Sequence, residues 1–309
     1  MRIVFLGSGS FAIPALEALI TAGHEVATLV TQPDREKGRG RALAPPPLKP
    51  VALARGIPVL QPPRVRDPQA LEALRALSPE LQVVVAYGQI LPRSVIEIPP
   101  RGTVNVHGSL LPRYRGAAPI AWAIASGETE TGVTTMLIDE GLDTGPILLA
   151  RSTPIGPEET AAELEPRLAR LGAELLLETV RGLGDGRLQP QPQDQALAGY
   201  APLLKKEDGR IDWTAPSDVV ARRVRGFNPW PGTYTLWQGR VLKVLRARPA
   251  PGGPGEPGTV VRVDREGLVV ACGHGTRLDL LEVQLEGRRP VVASAFSSGA
   301  RLHPGARFG

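Results

Sequence analysis

RIVFLGSGSFA, residues 2–12, is a short apolar run that ends in a glycine-rich turn. An apolar run of this length before such a turn is typical of a buried strand in a parallel sheet. The next residues predict a helix over 14–22, ended by Gly23, and a second buried strand over 25–31. This strand, helix, strand order predicts an α/β fold with a mainly parallel, Rossmann-like sheet.

The same alternation continues through the first two-thirds of the chain. The pattern predicts helices over 47–54, 67–77 and 161–182, and strands over 57–60, 81–86, 103–106 and 131–138. Residues 187–202 are rich in Gln, Pro and Ala without a clear period, which is typical of a linker. Six short strand patterns with Gly and Pro turns follow it, which predicts a small, OB-like β-barrel or sandwich. We therefore expect a catalytic domain over 1–186, a linker over 187–204 and a second domain over 205–309.

The turn after the first strand has the G-x-G-x-x-A spacing of dinucleotide-binding proteins. The same spacing also suits a simple tight turn between a strand and a helix. NAD-binding folds usually carry an acidic residue at the end of the second strand, where it bonds the ribose. Here Gln32 and Pro33 precede Asp34, which falls in a loop. We therefore expect no NAD.

Composition excludes several classes of protein. The 309 residues are 42% hydrophobic and 22% charged, as in ordinary globular chains that bury a sizeable core. Cys272 is the only cysteine, so neither an internal disulfide nor a cysteine-ligated metal is expected. The opening apolar run is too short for a signal peptide, and no apolar run reaches membrane-spanning length. We expect a cytoplasmic protein with no membrane partner and no metal.

Charge divides unevenly along the chain. Residues 205–309 carry 17 Lys and Arg against 10 Asp and Glu, whereas residues 1–204 carry 19 against 21. A basic module joined to a near-neutral one indicates a polyanionic partner, most often a nucleic acid. The alternative is a soluble surface that happens to be rich in arginine.

Three polar residues mark the candidate site. Asn105 and His107 lie where the 103–106 strand ends, and Asp143 follows in a glycine-containing loop after the 131–138 strand. Ligands of such sheets bind beyond the carboxyl ends of the strands. An amide, an imidazole and a carboxylate there can stabilise an oxyanion and move a proton. Each residue alone also suits a structural role, as a turn cap, a core histidine or a loop cap.

A basic segment leaves the second strand at the same edge of the sheet. Residues 34–47 form a polar loop without a core pattern, and four cations lie within it: Arg35, Lys37, Arg39 and Arg41. We expect a mobile arm that contacts phosphate. A solvated connection is the alternative.

Longer motifs surround the three polar residues and extend along the chain. The longest is NVHGSLLPRYRGAAPI, residues 105–120. The others are VTQPDR (30–35), VAYGQILP (85–92), DEGLDTG (139–145), KEDGRIDW (206–213) and FNPWPG (227–232). In this order, the motifs resemble those of a known family, the folate-dependent formyltransferases, and among them those that act on methionyl-tRNA. The chain departs from the family at the first turn, where Gly-Ser-Gly-Ser-Phe replaces the usual Gly-Thr-Pro-acid-Phe.

The resemblance implies transfer of a formyl group from 10-formyltetrahydrofolate to the α-amino group of methionine on initiator tRNA. It implies that Asn105 and His107 donate to the oxyanion, with His107 also shuttling a proton that Asp143 accepts through water. It implies folate contacts from Ser109, Leu110, Leu111, Pro112, Gln89, Ile90 and Leu91. It also implies tRNA contacts from Arg35, Lys37, Arg39, Arg41 and the basic C-terminal domain, in a monomer.

Two other functions stay open at this point. A related formyltransferase that acts on a small amine, such as an aminosugar nucleotide or glycinamide ribonucleotide, needs the same three polar residues. It has less need of a basic arm or a basic domain. A non-catalytic RNA-binding protein on an α/β scaffold needs the charge but not the three residues.

Overall fold

The computed structural model describes residues 1–37, 42–264 and 267–309. Its strands are, in chain order, β1 (Arg2–Gly7), β2 (Glu25–Val30), β3 (Arg35–Lys37), β4 (Ala42–Ala44), β5 (Val59–Leu60), β6 (Leu81–Val85), β7 (Thr103–His107), β8 (Glu130–Leu137), β9 (Ile147–Pro154), β10 (Thr233–Trp237), β11 (Arg240–Ala250), β12 (Val260–Val263), β13 (Leu268–Ala271), β14 (Arg277–Leu285) and β15 (Val291–Val292). Its helices are α1 (Ile13–Thr21), α2 (Leu48–Ala54), α3 (Pro68–Ala76), α4 (Arg93–Ile96), α5 (Pro119–Ser126), α6 (Ala161–Gly184), α7 (Ser217–Gly226) and α8 (Ala293–Gly299).

The described residues divide into two compact units. One holds Met1–Gly116, Thr131–Pro154 and Glu165–Tyr200, and the other holds Ala117–Glu130, Ile155–Leu164 and Ala201–Gly309.

The first unit is built on a seven-stranded sheet in the order β5-β2-β1-β6-β7-β8-β9. The strands from β5 to β7 run parallel, and β8 runs antiparallel to β7. Both faces of β1 are buried, because Ile3 and Phe5 join one apolar cluster while Val4 and Leu6 join another. This burial on both faces explains why β1 reads as a continuous apolar run. The predicted α/β fold with a mainly parallel sheet is confirmed.

The second unit is built on an antiparallel sheet in the order β10-β11-β14-β13-β12, with β15 beside β14. α7 and α8 contribute Val220, Val224 and Phe296 to its apolar core. Residues 305–309 reach both edge strands, since Val260 N donates to Ala306 O over 2.8 Å and Gly309 N donates to Leu236 O over 3.2 Å. The chain therefore covers the edges that a small open sheet would leave unpaired, in keeping with the all-β architecture predicted for this part.

Residues 187–200, within the segment predicted to be a linker, lie against the first unit. Gln191 and Ile147 exchange two backbone hydrogen bonds of 2.8 Å each, and Arg115 N donates to Gly199 O over 2.8 Å. Gln193 is buried there. This part of the segment is thus a packed part of the first unit, although its composition lacks a periodic pattern.

The predicted loop over residues 34–47 is partly regular. β3 and β4 pair as an antiparallel ribbon, with Arg35 opposite Ala44 and Lys37 opposite Ala42. Asp34, at the base of the ribbon, accepts from Lys49 Nζ at 2.8 Å and from Gln61 Nε2 at 2.7 Å. These hydrogen bonds, with that from Lys49 the stronger, lower the pKa of the Asp34 carboxyl. The arm therefore has a fixed base.

None of the described helices is both long and apolar enough to cross a membrane.

Candidate active site

Asn105 and His107 lie two residues apart at the end of β7, so their side chains point to the same face of the sheet. β7 is flanked by β6 and β8, with Asn105 opposite both Val84 and Met136. The Asn105 side chain is half-buried and makes no hydrogen bond to any other described residue. Its amide is therefore free to donate to a ligand at this edge.

His107 is held from both sides of its ring. Nε2 lies 2.9 Å from the Tyr114 carbonyl oxygen, and Nδ1 lies 3.7 Å from Asp143 Oδ2. Because a carbonyl oxygen only accepts, Nε2 carries a hydrogen in this arrangement. Nδ1 is then the ring nitrogen that faces the carboxylate. The 3.7 Å separation is longer than a direct hydrogen bond.

Asp143 is positioned by its loop and by the loop that follows β7. Its φ is +51°, a left-handed conformation that aspartate tolerates better than most residues. Gly116 N donates to its Oδ2 over 2.7 Å. At the start of the same loop, Asp139 Oδ1 accepts from Gly141 N at 3.0 Å and from Thr144 Oγ1 at 2.7 Å. The carboxylate is thus fixed next to His107.

The loop after His107 is held by hydrogen bonds within itself and to β8. Ser109 Oγ donates to Arg113 O over 2.7 Å, and Ser109 O accepts from Thr134 Oγ1 at 2.7 Å. Leu111 N donates to Thr134 Oγ1 over 3.1 Å. Ser109 and Leu111 are buried, whereas Leu110 and Pro112 are partly exposed. Of the four folate contacts predicted in this loop, Leu110 and Pro112 are the ones with accessible apolar surface.

The loop after β6 presents its backbone. The N–H and C=O groups of residues 88–91 bond to no other described residue. The Gln89 side chain instead pins the loop, because its Oε1 accepts from Val65 N at 2.8 Å and its Nε2 donates to Pro62 O over 3.3 Å. Ile90 is 92% exposed and Leu91 is buried in the core. Free backbone donors and acceptors beside an exposed aliphatic side chain fit the polar edge of a pteridine ring.

The first turn binds the ends of neighbouring strands together. Ser8 N and Gly9 N both donate to Ala86 O, over 3.2 and 3.4 Å. Ser8 Oγ donates to Tyr87 O over 3.2 Å and accepts from Thr31 Oγ1 and Gln32 N, each at 3.1 Å. These N–H groups are occupied within the protein, so the turn is not arranged as a phosphate cradle. Sequence reasoning missed this role of Ser8.

Of the four tRNA contacts predicted in the basic arm, only Arg35 has a described side chain. It is exposed and donates to Gln32 Oε1 over 3.1 Å. Lys37 is described by its backbone at the end of β3, while Arg39 and Arg41 lie outside the described residues. Within the described ranges, no group of three or more His, Cys, Asp and Glu side chains is placed to hold a metal ion.

Comparison with known proteins assigns the family. A profile described as "Formyl transferase" matches residues 1–180, and one described as "Formyl transferase, C-terminal domain" matches residues 203–301. The chain belongs to the formyl transferase family.

Within this family, the chain resembles curated proteins over its full length. It is 53% identical over 100% of its length to the methionyl-tRNA formyltransferase of Geobacter sulfurreducens, covering 97% of that protein. It is 55% identical over 99% of its length to the methionyl-tRNA formyltransferase of Pelobacter propionicus, covering 96% of that protein. The resemblance found in the sequence motifs is thereby confirmed.

Solved structures share the fold at low sequence identity. HypX from Aquifex aeolicus in complex with tetrahydrofolic acid superposes over 96% of the chain with a TM-score of 0.64 and 20% identity. The chain spans about half the length of that protein, 47%. An N-formyltransferase from Helicobacter canadensis, in complex with folinic acid and dTDP-3-aminofucose, superposes over 91% of this chain and 98% of its own, with a TM-score of 0.69 and 18% identity.

Two residues of this site were not predicted to take part in it. Arg115 is buried behind the 139–145 loop and donates to Gln193, which in turn donates to the backbone of that loop. Arg115 belongs to the motif that carried the family resemblance, whereas Gln193 stood in the predicted linker. No periodic pattern in the sequence marks either side chain as buried.

Proposed function

We propose that this chain transfers the formyl group of 10-formyltetrahydrofolate to the α-amino group of methionine on initiator tRNA, for translation initiation in the cytoplasm. The observation that carries the proposal is the free Asn105 amide on the same strand face as a histidine held against a carboxylate. The full-length relatives named methionyl-tRNA formyltransferase support the choice of acceptor.

When bound, the folate supplies an activated formyl carbon and leaves through its nitrogen. The Asn105 amide would donate to the formyl oxygen as negative charge develops there. Its hydrogens are not committed to any described residue, so donation breaks no existing bond. Asn105 is therefore the side chain best prepared to stabilise that charge.

His107 and Asp143 would manage the proton that the attacking amine loses. Because Nε2 of His107 bonds to the Tyr114 carbonyl oxygen, a second proton on the ring would reside on Nδ1, facing Asp143. The ring is then a cation near the developing negative charge, and Asp143 balances it. Asp143, whose carboxylate is held by the Gly116 N–H, would accept through water the proton that the amine loses. A proton would then pass from this pair to the folate nitrogen as its bond to the formyl carbon breaks, so that the folate leaves as a neutral amine.

The donor pocket would combine the unpaired backbone of residues 88–91 with the accessible apolar surface of Leu110, Pro112 and Ile90. The basic arm and the basic domain over 205–309 would contact tRNA phosphates. The profile matches ending at residue 180 and starting at residue 203 support domains over 1–186 and 205–309. Residues 187–204 would connect them, with 187–200 packed against the first unit.

The decisive experiment offers the folded protein 10-formyltetrahydrofolate together with initiator Met-tRNA, an aminosugar nucleotide or glycinamide ribonucleotide. We expect formyl-Met-tRNA and no comparable turnover of the small amines. A sample that binds folate but formylates only a small amine contradicts the proposed acceptor. A sample that binds tRNA but formylates no acceptor contradicts an enzymatic role.

A matched pair of variants tests the roles of the residues. His107→Ala should abolish measurable turnover while leaving tRNA binding within about twofold of the parent. His303→Ala is the control, since His303 is an exposed histidine in the other unit whose side chain, among the described residues, bonds only to the neighbouring Pro304 O, at 2.9 Å. Equal activity of the two variants contradicts the role given to His107.

A further inference from the structure

Arg115 is the largest fully buried side chain of the described residues, at 1% exposure. Its guanidinium bonds to neutral oxygens: Nε and Nη2 donate to Gln193 Oε1 over 3.0 and 2.6 Å, and Nη1 donates to Gln195 Oε1 over 2.9 Å. It makes no ion pair with any described residue. Burying a cation without an anionic partner is costly, so a fold that keeps it there for packing alone is at a disadvantage.

Gln193 passes this interaction on to the loop that carries Asp143. Its Nε2 donates to Asp143 O over 2.8 Å and to Gly145 O over 2.7 Å. Both ends of the amide are thus in use, with the oxygen on the cation and both N–H groups on the loop. A charge-assisted bond at the oxygen polarises the amide and strengthens donation by its N–H groups.

The backbone next to Arg115 completes the arrangement. Gly116 N donates to the Asp143 carboxylate over 2.7 Å, and Tyr114 O accepts from His107 Nε2 at 2.9 Å. One short segment therefore holds the Asp143 carboxylate and the His107 ring directly, and holds the Asp143 backbone through Gln193. The backbone that is clamped is strained, since Asp143 has a φ of +51°.

We propose that Arg115 and Gln193 are positioning residues for the formyl transfer, which clamp Asp143 beside His107. This inference rests on the proposed function for the reaction that Asp143 serves. The clamp acts on the geometry between the two side chains and touches neither substrate. Its loss should lower kcat and leave the KM values for folate and Met-tRNA nearly unchanged.

A matched pair of near-isosteric substitutions separates the clamp from the charge on Arg115. Gln193→Glu gives Arg115 a carboxylate but removes the two N–H groups that hold Asp143 O and Gly145 O. Gln195→Glu gives the same arginine the same carboxylate, and Gln195 is exposed and bonds to no described residue of the 139–145 loop. We expect Gln193→Glu to lower kcat about 10- to 100-fold with both KM values within about threefold, and Gln195→Glu to remain within about twofold of the parent.

A second readout does not require turnover. The Gly116 amide donates to Asp143, so its NMR signal in the uniformly ¹⁵N-labelled, deuterated full chain reports where the carboxylate lies. We expect this signal to move upfield in Gln193→Glu and to stay in place in Gln195→Glu. The remaining signals of both variants should keep the dispersion of a folded protein. If Gln193→Glu fails to fold, Arg115→Lys replaces it as the test, because lysine keeps the positive charge but lacks the forked N–H donors of the guanidinium. For this variant we expect a smaller shift of the Gly116 signal and about a 3- to 10-fold loss of kcat.

The two proposals fail in different ways. A parent protein that produces no formyl-Met-tRNA overturns the proposed function, and the Gly116 signal still decides whether the clamp exists. An unmoved Gly116 signal with unchanged kcat in Gln193→Glu overturns the clamp. Equal losses in Gln193→Glu and Gln195→Glu also overturn it, because they trace the effect to the charge of Arg115.

Discussion

At the scale of single residues, Asn105 and Asn228 are the only asparagines of the chain, and they bond differently. Asn228 Nδ2 donates to Leu245 O over 3.2 Å, whereas the Asn105 amide bonds to no described residue. Asn105→Ala should therefore lower kcat about 10²- to 10³-fold, as the loss of one oxyanion donor does. Its free energy of unfolding should change by less than about 1 kcal/mol, because no intramolecular hydrogen bond is lost.

Steady-state formylation of Met-tRNA and thermal unfolding measure the two effects. Asn228→Ala serves as the control and should show the opposite result, with a lower Tm and kcat within about threefold of the parent. An Asn105→Ala protein with full kcat contradicts the role of this amide as a donor.

The sequence predicted which side chains meet at the site but not which atoms they use. Strand ends and loop positions were enough to place Asn105, His107 and Asp143 at one edge of the sheet. The tautomer of His107 depends on the carbonyl of Tyr114, whose φ is +59°. No composition or spacing in the chain encodes that orientation, because it follows from how the whole loop packs.

At the scale of loops and helices, Gly145 fixes the end of the loop that carries Asp143. A Cβ at this position would overlap the Leu137 carbonyl oxygen at the end of β8. Gly145→Ala should displace the loop, lowering kcat at least tenfold and the free energy of unfolding by about 1–3 kcal/mol. Kinetics and urea unfolding measure both effects.

Gly299 provides the matched comparison for Gly145→Ala. It lies at the end of α8, and a Cβ added there would meet no atom within 4 Å. Gly299→Ala should retain parental kcat and change stability by less than about 1 kcal/mol. Unchanged activity in Gly145→Ala would show that the loop can shift without moving Asp143.

The start of α6 carries a capping box whose contribution depends on pH. Thr160 N donates to Glu163 Oε2 over 2.9 Å, and Glu163 N donates to Thr160 Oγ1 over 3.3 Å. The hydrogen bonds from Thr160 lower the pKa of the Glu163 carboxyl, with a smaller contribution from Arg246. A carboxyl whose pKa is lower in the folded than in the unfolded state stabilises the fold fully at a pH above its unfolded-state pKa. That contribution is lost as the pH falls through the folded-state pKa.

Thr160→Ala should therefore destabilise the protein by about 1 kcal/mol at pH 7, the usual cost of losing an N-cap. The difference in Tm from the parent should shrink below pH 4. Glu163→Gln is the control, since glutamine keeps the geometry of the box without a titrating group. A Thr160→Ala deficit that is the same at pH 7 and pH 3 would mean that the carboxylate takes no part.

Elements were predictable where apolar residues followed a clear period, and they were missed elsewhere. α5 was not predicted because its sequence, PIAWAIAS, is apolar on nearly every side and so lacks a helical stripe. β9, an edge strand, buries only Leu148, and apolar and polar residues do not alternate in its sequence, ILLARSTP. The β3–β4 ribbon is three residues long in each strand, too short for its pairing to be seen in a polar sequence.

At the scale of the whole molecule, the distribution of charge was the sequence signal that indicated a polyanionic acceptor. The fold alone cannot make that choice, since formyltransferases of small amines share it at TM-scores near 0.7. The full-length relatives agree with the acceptor that the charge indicated. The sequence does not predict which basic residues bind the tRNA, because that depends on where their side chains lie, and no pattern of residues specifies those positions.

The basic arm offers the last prediction, at the level of tRNA binding by the whole chain. In the sequence, Arg39 and Arg41 lie between β3 and β4, and the base of that ribbon is fixed by the 2.8 Å ion pair between Asp34 and Lys49. Changing both arginines to alanine should weaken Met-tRNA binding and reduce the slope of log Kd against log salt by about 0.7–0.9 for each phosphate that the protein no longer neutralises. Folate affinity should stay within about twofold.

The control changes Arg55, just after α2, and Arg75, in α3, to alanine, which removes the same charge from exposed positions outside the arm. Equal losses of tRNA affinity in the two double variants would trace binding to net charge instead of the arm, and a parallel loss of folate affinity would mean that the arm supports the donor pocket.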